Sequence, residues 1–94
     1  PEELARLFDI VRLRHVGAKL GFEKIIVKNG IMIAFFISNQ MSSYYRSRKF
    51  SDVIGKISDC GPLFELKQND AKLRIISRKI HSISDACSVL RKLL

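Results

Sequence analysis

Two tyrosines followed by three cations, Tyr44-Tyr45-Arg46-Ser47-Arg48-Lys49, are the group of neighbouring side chains in this sequence with the plainest ligand chemistry. Aromatic rings can stack on unpaired bases while guanidinium and ammonium groups meet phosphates, so the run reads as a candidate nucleic-acid contact. Its plainer reading is a surface loop whose tyrosines lean on the core and whose charges are solvated. The other reactive residue types do not assemble into a set. His15 and His81 have no Cys or carboxylate pair beside them, and a metal site would need more ligands. Cys60 and Cys87 lack metal-type spacing and read as free thiols in a reducing compartment. Asp52 and Asp59 share one side of a helix as solvating acids. Gly55-Lys56 is not a phosphate loop, because Phe50 and Ile57 stand where a Walker A motif needs Gly and Ser or Thr. An enzyme is not expected.

A net charge of +8, from 17 Lys and Arg against 9 acids, fits nucleic acid, an acidic protein surface or solubility alone. The excess lies mostly in the second half, where Lys67, Lys72, Arg74, Arg78 and Lys79 face only Glu65 and Asp70. No membrane span or signal peptide is visible. Ninety-four residues suit one domain, residues 1–94, and a chain beginning at Pro1 reads as a fragment of a larger protein.

The elements that must position these residues centre on Ile31-Met32-Ile33-Ala34-Phe35-Phe36-Ile37, an apolar run without alternation. Such a run predicts a strand covered on both faces, each large side chain contributing roughly 1.5–3 kcal/mol when buried. Asn29-Gly30 before it is a hairpin signal, and Phe22 to Lys28 is the partner strand. Pro1 to Leu20 reads as a helix, with Pro1, Glu2 and Glu3 suited to its first turn and Gly21 to a left-handed cap. It has two apolar sides: Leu4, Leu7, Phe8, Val11 and Ala18 on one, and Ile10, Leu13, Val16, Gly17 and Leu20 on the other. Internal packing of both sides is expected, the alternative being a partner surface. Arg48 to Asp59 reads as a second helix with Phe50, Val53, Ile54 and Ile57 on one face, stopped by Gly61-Pro62. Leu63 to Gln68 and Lys72 to Lys79 read as strands joined at Asn69-Asp70. Ser82 caps a last helix with Asp85 three residues on, and Ile83, Ala86, Cys87, Leu90 and Leu94 form its stripe. The order is α-β-β-α-β-β-α, an α+β domain with a small antiparallel or mixed sheet packed against helices.

Asp9-Ile10-Val11-Arg12-Leu13-Arg14, then Ala18-Lys19-Leu20-Gly21-Phe22-Glu23-Lys24-Ile25, resembles the C-terminal domain of the bacterial transcription-repair coupling factor (Mfd) family. That family carries an Arg-Leu-Arg helix, a Leu-Gly step with Ile or Val after it, and a short hairpin. The later elements agree in order. Ser38 to Lys49 departs from the pattern, since the family has a shorter linker there, often with Pro. The family's acidic Glu-Leu-x-Asp-Arg-aromatic-Gly segment, just upstream of the first helix, has no counterpart in this sequence.

The resemblance implies a non-catalytic regulatory domain of a DNA translocase that displaces stalled RNA polymerase and recruits UvrA in nucleotide-excision repair. ATP and Mg would belong to a motor elsewhere in that protein, with no cofactor in this domain. The implied partner is the protein's own N-terminal UvrA-binding module, masked in the resting state, and the implied location is the bacterial cytoplasm at the nucleoid. The docking candidates are the polar residues of the matched helix, Asp9, Arg12 and Arg14, of which Asp9 and Arg12 are also spaced to pair with each other. The alternative is a basic accessory domain that binds nucleic acid, DNA above all, through Tyr44, Tyr45, Arg46, Arg48 and Lys49, or one whose basic face contacts RNA polymerase.

Overall fold

The computed structural model describes residues 2–70 and 72–94. The elements are α1 (Glu2–Leu20), β1 (Phe22–Lys28), β2 (Ile31–Phe36), α2 (Arg48–Asp59), β3 (Glu65–Asn69), β4 (Lys72–Arg78) and α3 (Ile83–Arg91), with 3-10 turns at Ser43–Arg46 and Gly61–Leu63. This is the expected element order in the α+β class, and the sheet is antiparallel throughout, ordered β1-β2-β4-β3. The first-turn role expected of Pro1 and of the Glu2 side chain lies outside the described residues.

Local chemistry sets most of the boundaries. Asn29 and Gly30 take φ values of 54° and 77°, as a two-residue hairpin turn with right-handed strand twist demands. Gly21 ends α1 at φ 96°, its N–H donating to the Ala18 carbonyl at 3.2 Å. β3 starts two residues later than expected because Gly61–Leu63 is wound into a turn. β4 stops at Arg78 because Lys79 has a φ of 62°, which sends Ile80 into the core with its N–H on the Gly30 carbonyl.

One face of the sheet carries the core. Met32, Ala34 and Phe36 of β2 and Ile75 of β4 pack with Leu13, Val16 and Leu20 of α1, Val53 and Ile57 of α2, and Ala86, Cys87 and Leu90 of α3. The expectation that β2 is covered on both faces is not met. Its burial alternates, with Ile31, Ile33 and Phe35 only half-buried. An unbroken apolar run can mark a strand whose second face is shielded sideways by neighbouring strands, and periodicity does not distinguish that from full cover.

The expected double packing of α1 is not met either. Leu13, Val16 and Leu20 are buried, but Leu4, Leu7, Phe8 and Val11 are 57%, 59%, 61% and 64% exposed. Residues 3–8 are exposed on every side, so the first turns of α1 project beyond the body. At the other end of the chain, Leu93 is buried and Leu94 is not, reversing the expected stripe. After Arg91 the N–H groups of Lys92, Leu93 and Leu94 bond three residues back, and this tighter winding brings Leu93 under Leu90.

Candidate interaction surfaces

The Tyr44–Lys49 segment is divided between core and solvent. Ser42 Oγ accepts from the Tyr44 N–H at 3.2 Å, and Ser47 Oγ accepts from the Phe50 N–H at 3.2 Å, fixing the 3-10 turn and the start of α2. The Tyr44 hydroxyl donates to the Leu20 carbonyl and the Tyr45 hydroxyl to the Ile37 carbonyl. Both rings lie edge-on to Phe50, with centroids 5.4 Å away for Tyr44 and 5.1 Å for Tyr45. Phe50 in turn meets Phe36 at 5.6 Å. Contacts of this kind contribute about 0.5–1.5 kcal/mol each beyond area burial. Burial, then the neighbouring Tyr45, pushes the Tyr44 phenol up to about 12. Burial, then the Glu23 carboxylate, also raises Tyr45. Arg46, Arg48 and Lys49 are exposed. The tyrosines therefore latch the loop to α1 and β2, as in the surface-loop reading, and their rings are not displayed with the cations as a stacking platform.

The three docking candidates of α1 also differ in placement. Asp9 is partly buried, its side chain 29% exposed, and its carboxylate stands 4.0 Å from the Arg12 guanidinium. Arg12 and Arg14 are exposed. On a helix of 3.6 residues per turn, Leu4, Leu7, Phe8 and Val11 form one continuous stripe, and Arg12 and Arg14 fall on its two sides. Asp9 falls on the inward side, where with Arg6, Lys28 and His81 it lines an open groove between α1 and the first hairpin turn. The stripe was legible as the second apolar side of α1; its exposure was not, because the sequence does not say how many neighbours a helix receives.

The remaining reactive residues stand apart. His15 and His81 are exposed, and Asp52 and Asp59 face solvent. Cys60 is half-buried, Cys87 is buried on the inner stripe of α3, and both are free. Among the described residues no cluster of three or more His, Cys, Asp or Glu could hold a metal ion. No helix among them is long and apolar enough to cross a membrane. No family model, curated protein or solved structure significantly matches this chain.

Proposed function

We propose that residues 1–94 act as a non-catalytic regulatory domain of a transcription-repair coupling factor in the bacterial cytoplasm. In this reading the stripe of Leu4, Leu7, Phe8 and Val11 docks on the protein's own N-terminal UvrA-binding module. The observation that carries it is the stripe itself: four large apolar side chains at helical spacing, each more than half exposed, on a projecting helix end. Such a patch is a typical interaction surface, and laying it in an apolar groove is a recurring mode of helix recognition. The resemblance of Asp9 to Ile25 to the coupling-factor family supports the choice of partner. Arg12 and Arg14 beside the stripe suit a groove with an acidic rim.

A mask of this kind works by population. A tether supplies an effective concentration of roughly 1 mM, so an intrinsic Kd of about 10 µM leaves roughly one molecule in a hundred open. UvrA binds only that open fraction, and its apparent affinity falls about a hundredfold. Engagement of the motor, which would hold ATP and Mg elsewhere in the protein, then releases the domain.

Deleting residues 1–94 from the coupling factor and measuring UvrA affinity tests the reading. A gain of about a hundredfold is expected. Unchanged affinity would remove the mask.

A further inference from the structure

The sheet face turned away from the helices presents a second surface, independent of the α1 stripe and of the proposed mask. Cross-strand register puts its side chains in rows. One row is Lys24–Phe35–Arg74–Lys67, running from β1 through β2 and β4 to β3. The next is Ile26–Ile33–Ile76–Glu65, and the third is Lys28–Ile31–Arg78. Phe35, Ile33 and Ile76 are half-buried and take no part in the helix-facing core, so they shield one another and stay open above. Glu65 is the one carboxylate in these rows, and it is held by Arg78 at 3.0 Å. That leaves Lys24, Lys28, Lys67 and Arg74 without an acid among the rows, and Lys72 adds to them beside Phe35, where it lines a shallow hollow with Lys24 and the Glu23 carboxylate, two cations to one acid.

We infer that this open face binds single-stranded nucleic acid. Charge complementarity selects a polyanion. A protein partner would meet few charges at the centre of its contact, whereas here Arg74 sits on a central strand beside the only aromatic ring of the face. A ring flanked by cations along a row of about 14 Å, three inter-strand spacings, can stack one base and hold the adjoining phosphates. Four-stranded sheets with one bare face read single strands in this way, across the strands and with aromatic side chains under the bases. Duplex DNA is the poorer fit, because its bases are stacked inward and offer no free face to the Phe35 ring.

The test uses the 94-residue chain and fluorescein-labelled 15-mers of dT and of rU at low salt, read by anisotropy. Both single strands should bind, and a preference between them assigns DNA or RNA as the source. Phe35→Ala should weaken binding about tenfold at an unchanged salt slope. Lys24→Glu with Lys67→Glu should weaken it and make the slope of log affinity against log salt shallower by about 1.4, the release expected for two phosphate contacts. Phe35→Leu keeps the apolar bulk and guards against a folding defect; it should bind like Phe35→Ala. Reversal of Arg46, Arg48 and Lys49 together should leave the Phe35 effect intact. No binding of either oligomer at low salt overturns the inference. So does equal competition by polyglutamate, which would make the face a site for acidic protein, or full affinity in the Phe35 variants.

Discussion

Gly21 serves two neighbours at once. It turns the chain out of α1 at a φ of 96°, and a Cβ there would run into the Tyr44 ring. Gly21→Ala should therefore destabilise the domain by more than about 1 kcal/mol in urea unfolding, beyond a simple loss of backbone freedom. The first demand is legible in the sequence, because a glycine after an apolar helical pattern marks a cap. The second is not, because Tyr44 arrives from 23 positions further along the chain and nothing local encodes that meeting. Burial of the same side chain, with Tyr45 beside it, makes a pH prediction. The Tyr44 phenol is pushed up to about 12 while the unfolded phenol titrates near 10, so the folded state holds this proton more tightly. Its stabilising contribution is complete below pH 10 and is lost as pH rises toward 12. Ultraviolet titration should show a tyrosine ionising well after the unfolded value, and unfolding experiments should show stability falling over that interval. Tyr44→Phe should lower neutral-pH stability by about 1–2 kcal/mol, since it strands the Leu20 carbonyl, and should remove most of the alkaline loss.

Among the elements, those set by local signals were the most legible. Ser82 caps α3 by accepting from the Asp85 N–H at 3.0 Å, as its position before the apolar stripe predicts. The Asp85 carboxylate reaches back to the His81 N–H at 3.1 Å, one residue before the cap. Ser82→Ala should cost about 1 kcal/mol in thermal or urea unfolding. What the pattern did not carry was how many sides of an element are covered. α1 and β2 both look doubly buried by composition, yet α1 leaves Leu7 and Phe8 in water and β2 leaves Phe35 half-open. The surface nature of the α1 stripe predicts that Leu7→Asp with Phe8→Asp shifts the stability of the isolated domain by no more than about 0.5 kcal/mol per site. The same pair buried in a core would abolish folding, so circular dichroism and urea unfolding separate the two placements.

For the whole molecule, the two uncovered surfaces lie on different elements and can be tested apart. The α1 stripe is apolar with arginines beside it; the open sheet face is basic with an apolar centre. The net charge of +8 made a polyanionic or acidic partner plausible from the outset, but the tyrosines that pointed to Ser43–Lys49 are engaged in the core. The measurement that tests the proposed regulatory account most directly is UvrA affinity of the full-length protein, a coupling factor in that proposal, carrying Leu7→Asp and Phe8→Asp. Docking through the stripe predicts that this variant binds UvrA about as tightly as the protein lacking residues 1–94, on the order of a hundredfold better than the parent. A folded variant with the parent's affinity would contradict it.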